Sequence, residues 1–566
     1  MRAKGGCLVA ETLQANGVSW IFGMEDPIEV FHALDRSVTR SVTVHDEKHA
    51  AIMAHAYAQV TGRPGICTST FGPGATNLVT GLLEALRSSV PVIALVQDHP
   101  LSVKGRNARS ELDHVVALTP YVKAVLRIDT PDQGPDLVRR AFRIATSGRP
   151  GPVALLCPTD VMSLEGDGDP YGVERYMHVP SHRGRPATAD IIRAAELLAA
   201  ARRPLIVAGG GSVISGAFAE VRALAERFDA PVATTMTGKG AIAEHHPLAA
   251  GVLGTSTGGL YGRGKISNTL LAEADVVCIL GSRTGQICYN NWTTPGSAAS
   301  VIHLDIDPQE IDRNFAVTVP LQGDVRDTLR DLLSYCDSAG IAQSESTRAA
   351  QLARQKDAWL AELAPVAGTD ARPMRPERVV AELNRFVDAQ TLIVTDASYS
   401  TGWAMSQMEA PVAGRFMLSP RGTASIGWGL AAAIGAKLAD PARDVICVTG
   451  DGGFGYVINE LETAARYRVN LLVVVFNNGT LGFQRHWEEK AIGRAMDCDF
   501  LDVDYSEVSR ALKGGGERVT DPSQLAAAIA RGKTFPGPYV IDAIIDPEAA
   551  APIVGFDKPI AEGAYH

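Results

Sequence analysis

Asp451 and Asn478 each stand just past an apolar run, 27 residues apart (478 − 451), in settings that suit a metal-bound phosphate. Asp451 follows Val445-Ile446-Cys447-Val448 and lies within Gly450-Asp451-Gly452-Gly453. Asn478 follows Leu471 to Phe476 and lies within Asn477-Asn478-Gly479-Thr480. Both runs read as buried parallel strands. Apolar and small residues at helical spacing from Tyr456 to Tyr467 join them. In a parallel sheet the carboxyl ends of the strands share one edge, so the two turns meet there. The Asp451 carboxylate, the Asn478 amide oxygen and the Thr480 backbone carbonyl are three hard oxygens. With two phosphate oxygens and a water they complete an octahedral Mg²⁺ site. Gly450, Gly452 and Gly453 let backbone N–H groups approach a diphosphate closely. An ordinary pair of αβ turns is the plain alternative. The placement of GDG after one strand and NN after the next weighs against it.

This arrangement resembles the motif of thiamin diphosphate (ThDP)-dependent decarboxylases and carboligases, GDG followed by NN. The resemblance covers nearly the whole chain and is nearest to acetolactate-synthase-type enzymes, in the superfamily that includes pyruvate decarboxylase and benzoylformate decarboxylase. It implies ThDP and Mg²⁺ as cofactors, with metal ligands at Asp451, Asn478 and Thr480. Gly450, Gly452, Gly453, Leu481, Gly482 and Phe483 would complete that side of the cofactor pocket.

The segment HDEKHAAIMAHAYAQVTGRPGICTSTFGPGATNLVTGLLEA resembles the pyrimidine-binding domain of the same enzymes. Taken alone, Glu47 is an acid at a helix start, favoured there by the helix dipole. The resemblance makes it the catalytic carboxyl beside the aminopyrimidine ring, where it shares a proton and promotes loss of the thiazolium proton. Asn77 is a candidate for the same pocket, or a helix N-cap. The sequence departs from its relatives nearby. Gly23-Met24-Glu25-Asp26-Pro27 replaces a proline-glycine-glycine turn, and Arg109 and Ser110 stand where acetolactate synthases carry phenylalanine and glutamine. Arg109 could bind a substrate carboxylate through its two-pronged guanidinium. Glu25, Phe71, Arg109, His486 and Trp487 are the candidate substrate residues. His114 stands alone where pyruvate decarboxylases pair histidines, and reads as structural.

In the last third, Asp396-Ala397-Ser398-Tyr399-Ser400-Thr401 is hydroxyl-rich. Relatives place diphosphate donors there, which singles out Ser400 and Thr401; turn capping is the alternative. Ile426 occupies the position of the apolar residue that wedges between the two ThDP rings, and the Ala424 carbonyl that of the acceptor for the amino group. Phe483 and Trp487, one helical turn apart, could line an acyl pocket or pack a core. His486 is a possible proton shuttle.

The elements that must position these groups alternate between strand and helix, so the fold class is α/β, with three doubly wound parallel-sheet domains. The expected division is a pyrimidine-binding domain at 1–162, a Gly/Pro-rich linker at 163–189 and a central domain at 190–340. A linker with a charged helix at 341–375 and a diphosphate-binding domain with a tail at 376–566 follow. In some relatives the central domain binds FAD or ADP; Gly209-Gly210-Gly211-Ser212 and Arg283 are its candidate contacts. The 566 residues exceed a single core, and 46% of them are apolar. A net charge of −10 argues against nucleic acid or an anionic membrane as partner. There is no signal-peptide core and no run of about 18 apolar residues. The eight cysteines are scattered without a C-x-x-C pair, as in a reducing compartment. A cytoplasmic protein is expected. Because Glu47 and Asp451 lie in separate domains, which in this family come from different subunits, a homodimer is the expected minimum and a homotetramer the usual assembly.

The resemblance implies decarboxylation of a 2-oxo acid followed by ligation of the acyl remainder to a carbonyl acceptor. Alternatives are a non-ligating decarboxylase or C–C lyase, an FAD-linked pyruvate-oxidase-type enzyme, and a non-catalytic regulatory subunit. Joint retention of Glu47, Asp451 and Asn478 argues against the last.

Overall fold

The computed structural model describes residues 1–345 and 347–555; of the tail, residues 556–566 lie outside the described residues. Three six-stranded parallel sheets carry the fold. The first contains Trp20–Gly23, Arg40–Val42, Gly65–Ser69, Val92–Asp98, Ala124–Arg127 and Val153–Pro158. The third contains Thr391–Thr395, Met417–Leu418, Asp444–Gly450, Leu471–Asn477, Gly515–Val519 and Pro538–Ile544. Numbered within each unit, both run in the order 2-1-3-4-6-5. The central sheet, Pro204–Ala208, Val232–Thr234, Ala249–Val252, Val276–Leu280, Ser300–Asp305 and Val319–Gln322, runs 3-2-1-4-5-6. That is the order of dinucleotide-binding sheets. The apolar runs form strands because helices cover both faces; all seven residues of Leu471–Asn477 are buried.

The first and third units pack on each other. Helix Glu47–Thr61 lies against helix Gly429–Ala439, and residues of both share one apolar cluster. Polar bonds hold the edges of this contact: His49 Nδ1 is 2.9 Å from Glu460 Oε1, and Glu84 accepts from the backbone N–H groups of Gly422 and Thr423 at 2.6 and 2.7 Å.

Three expectations change in detail. The stretch at 163–189 contains a strand, Glu165–Asp167, antiparallel to Arg2–Lys4. Backbone pairing of so short a strand needs no apolar pattern, which is why the sequence hides it. The helix read from Tyr456 to Tyr467 is instead two, Asp451–Gly455 and Glu460–Arg466. The first begins directly at the strand end, where Asp451 Oδ1 takes the Gly452 N–H at 2.9 Å. The charged helix after the central unit, read from Thr347 to Leu363 in the sequence, runs instead over Arg348–Ala367 and buries Leu352, Trp359 and Leu363. Among the described residues no helix is long and apolar enough to cross a membrane.

Candidate active site

In parallel sheets of the 2-1-3-4 type the order in which strands are added reverses between strands 1 and 3, and the carboxyl ends there open a crevice. In the third unit those ends carry Asp396 and Gly450-Asp451. Asp396 is fully buried and gathers the turn that follows strand 2: its oxygens accept from Gly427 N–H at 3.1 Å and Gly429 N–H at 2.9 Å. The sequence singled out this turn for Ile426 and Ala424, but not the carboxylate that holds it. Ala424 sits at φ 57° with Ile426 half-buried beside it.

Asp451 is buried, and its Oδ2 accepts from the Gly479 N–H at 2.8 Å. Burial, with Asp542 nearby, pushes its carboxyl up to about 6. The Asn478 amide nitrogen donates to Asp451 Oδ1 at 3.2 Å and to the Thr480 carbonyl at 2.8 Å. With the amide turned over, its oxygen would stand at the same distances from the other two, an arrangement that only a cation among them would favour. Neighbouring ligands of an octahedral Mg²⁺ stand about 3 Å apart, given bonds of about 2.1 Å. The three expected ligands therefore fit this ion, and Gly450 leaves open space above them. Gly452 and Gly453 pack against Leu481 and Asp396. Leu481, Gly482 and Phe483 follow at the start of helix Gly482–Ile492.

Ser400 and Thr401 behave differently from the expectation. Ser400 Oγ donates to the Ala397 carbonyl at 3.2 Å, and Thr401 Oγ1 donates to the Asp396 carbonyl. Both hydroxyl protons are committed to the turn, as capping requires, rather than offered to a diphosphate. His486 is likewise engaged at both ring nitrogens: Nδ1 with the Tyr399 hydroxyl at 2.9 Å and Nε2 with the Pro547 carbonyl at 3.0 Å. In this geometry it is a strut and not a shuttle. Trp487 is half-buried on the same helix.

In the first unit the matching crevice lies between Gly23 and Ser69. Glu47 begins its helix, capped by Asp46, whose Oδ1 accepts the Lys48 N–H at 2.8 Å. Glu47 is 9% exposed, and Asn77 Nδ2 donates to its Oε2 at 2.9 Å. Asn77 is thus a partner of Glu47 and not an N-cap. Glu25 points outward to Arg36 at 3.4 Å. Its neighbour Asp26 turns inward beside Thr70; burial, with Glu29 and Glu47 nearby, raises its carboxyl. Asp26 is the acid that the sequence reading missed, since both acids share one turn and only the backbone decides which faces in. Phe71 packs on His99 with ring centroids 4.3 Å apart, and the Arg109 side chain is exposed. His114 is not alone: the His99 ring stacks on it at 6.0 Å. The 14 residues between them (100–113) fold back, which spacing could not reveal. Among the described residues of one chain, Glu47 bonds to no group of the third unit.

A cavity of about 800 Å³ lies where the central unit meets the other two, bordered by Arg149, Gly211, Arg283, Arg415 and Arg421. The glycine triplet has a reason of its own there: a Cβ on Gly211 would lie 2.7 Å from Gly281 Cα, and one on Gly209 would lie 2.2 Å from the Gly281 carbonyl oxygen. The two strand-end turns touch through bare backbone. Arg283 lines the cavity and donates to the Arg87 carbonyl; burial pushes its guanidinium down to about 10.

Comparison with known proteins agrees with this geometry. Family models match at residues 3–117 (thiamine pyrophosphate enzyme, N-terminal TPP binding domain), 191–332 (central domain) and 396–543 (C-terminal TPP binding domain). A probable acetolactate synthase large subunit of Methanocaldococcus jannaschii is 34% identical over 97% of this chain and 93% of its own length. The acetolactate synthase of Arthrospira platensis is 35% identical over 96% and 94%, and the isozyme 2 large subunit of Escherichia coli is 30% identical over 96% of each. With all three units matched in order and relatives aligned end to end, the chain belongs to the thiamine pyrophosphate enzyme family.

Proposed function

We propose that the chain is the catalytic subunit of a ThDP- and Mg²⁺-dependent carboligase that removes CO₂ from a 2-oxo acid and passes the acyl remainder to a carbonyl acceptor. The observation that carries this reading is the Asn478 amide, 3.2 Å from Asp451 Oδ1 and 2.8 Å from the Thr480 carbonyl oxygen at the carboxyl edge of the third sheet, the spacing that Mg²⁺ ligands would have with the amide oxygen turned toward the ion. When bound, ThDP supplies a carbon nucleophile and an electron sink for decarboxylation. The chain supplies the rest. Glu47, steadied by Asn77, exchanges a proton with the aminopyrimidine ring. Ile426 and the Ala424 carbonyl would hold the bound cofactor, the first by packing between its two rings and the second as an acceptor for its amino group. Asp26, Phe71, Arg109 and Trp487 border the substrate side.

The labour divides by unit: 1–162 for the pyrimidine, 376–566 for the diphosphate and metal, 190–340 for a nucleotide, FAD or ADP. Support for the nucleotide is the central strand order and the arginine-lined cavity. The pyrimidine and diphosphate edges also expose large apolar side chains, Met24 and Ile28 on one, Phe500 and Leu501 on the other. A second copy would cover them, so the active unit is a homodimer within a homotetramer of a cytoplasmic protein.

The test is to incubate the protein with ThDP, Mg²⁺ and a panel of 2-oxo acids, with and without aldehyde or keto acceptors. Products are read by mass spectrometry. CO₂ with a 2-hydroxyketone is expected. Aldehyde alone would make it a simple decarboxylase, peroxide from a yellow protein an oxidase, and no CO₂ from any acid would overturn the reading.

A further inference from the structure

Asp98, His99 and His114 cluster at the carboxyl edge of the first sheet, with ligand atoms near enough for a metal. Their hydrogen bonds show another use. His114 is 1% exposed and its Nε2 lies 2.8 Å from the backbone nitrogen of Gly72. A backbone N–H only donates, so Nε2 is the accepting nitrogen and the ring proton is on Nδ1. That proton points at Asp98 Oδ1, 2.8 Å away. Both His114 nitrogens are spent, and no lone pair is left for a metal. The Asp98 carboxylate also takes the His99 N–H at 2.9 Å, and His99 Nε2 donates to the Arg109 carbonyl at 2.9 Å.

Gly72 is where this chain of bonds reaches the reaction. It sits at φ 64°, and a Cβ on it would lie 2.6 Å from the Ser110 carbonyl oxygen. It opens the short helix Pro73–Asn77. That helix presses Gly74 so near Glu47 that an added Cβ would be 2.9 Å from Oε1, and it delivers Asn77 Nδ2 to Oε2. Glu47 is therefore gripped from one side by a turn whose first N–H is held by His114.

We infer that Asp98 and His114 are positioning residues for Glu47: Asp98 fixes the His114 tautomer, His114 holds the Gly72 turn, and the turn sets the Glu47 carboxyl. This rests on the role proposed for Glu47. It differs from a structural role in that the tautomer matters as well as the packing. His114→Phe keeps the volume and loses the acceptor. Asp98→Ala frees the ring, whereas Asp98→Asn keeps an amide oxygen at the same place and rescues it.

The experiment measures exchange of the ThDP C2 proton for deuterium by quenched NMR. The dissociation constant for ThDP is measured in parallel, and crystal structures give the Asn77–Glu47 distance. His114→Phe and Asp98→Ala are expected to slow exchange about 10- to 100-fold, the cost of losing an outer partner of a reacting group. The Kd for ThDP should move by less than about threefold, as for distant independent sites, and Asp98→Asn should stay near the wild type. Should His114→Phe not fold, His114→Asn withdraws the acceptor from Gly72 with less disturbance. Unchanged exchange in folded His114 and Asp98 variants, while Glu47→Gln abolishes it, overturns the relay alone. Unchanged exchange in Glu47→Gln overturns the role of Glu47, and the relay with it.

Discussion

The first and third sheets share one strand order and present the same crevice, yet the two edges are built for opposite tasks. The third edge gathers oxygens. Asp451, Asn478 and Thr480 crowd together, and burial, with Asp542 nearby, pushes the Asp451 carboxyl up. The first edge is a set of closed hydrogen bonds beside one acid: Asn77 donates to Glu47, the Gly72 N–H donates to His114, and His99 donates to the Arg109 carbonyl. On the proposed reading, one edge would be completed by a cation and a diphosphate, while the other is already hydrogen-bonded and would have only a proton to move. Topology sets where a site can be; the residues after strands 1 and 3 set what it does.

The comparison breaks most sharply at Glu47. Glu47→Gln keeps the shape and the bond from Asn77 but cannot cycle a proton. Turnover should fall about 10²- to 10⁴-fold, the range for loss of a general acid–base group, with ThDP still bound. Steady-state rates alongside a ThDP titration check this, and unchanged turnover would remove Glu47 from the mechanism.

Asp451→Asn attacks the other edge, and should do the reverse to binding and stability. The folded carboxyl titrates near 6, above its ordinary 3.8. Between those values the folded chain holds a proton that the unfolded chain has lost, so apo stability falls as pH rises through the window. Above pH 6 the buried charge is a full cost. The asparagine variant should then be more stable than the wild type without cofactor at pH 7.5, by about 1–3 kcal/mol. The difference should vanish below about pH 4, and Mg²⁺-dependent ThDP binding should be lost. Chemical denaturation at several pH values is the measurement; a destabilised apo variant would contradict it.

The same carboxyl sharpens the comparison without mutation. Protons compete with the cation at Asp451, so Mg²⁺ affinity should weaken below pH 6 by up to about tenfold per unit. Calorimetric titration of Mg²⁺ with saturating ThDP across pH 5 to 8 tests this. A flat profile would place the metal elsewhere.

How much of this could be read in the sequence depends on the range of the cause. Strand runs and the turns that follow them are local patterns, and they fall where the periodicity puts them; Glu47 reads locally only as a helix-start acid, and the resemblance is what singles it out. Asp396, Asp26 and the Asp98–His114 pair escaped because their partners are 31, 44 and 42 residues away (427 − 396, 70 − 26, 114 − 72). No spacing rule ties a carboxylate to a turn on another strand. Ser400, Thr401 and His486 show the converse: the residue types suited a ligand, but neighbouring carbonyls claimed their protons first. Glu25 and Asp26 differ only in which way one turn faces.

The smallest expected effect concerns the central unit, whose strand order differs from its neighbours and whose cavity is bordered by arginines in a chain of net charge −10. The cavity lining has six arginines against three acids, Asp305, Glu310 and Asp324, and an anionic occupant would offset that local excess of positive charge. ADP or FAD at about 100 times its Kd should raise the stability of the folded protein by about 2.7 kcal/mol, a rise in Tm of several degrees. Arg283→Gln should remove part of that rise, while ThDP should still shift the variant as it shifts the wild type. If neither nucleotide moves Tm, the central sheet has kept the order of a nucleotide fold without its ligand, and the two outer edges carry the chemistry alone.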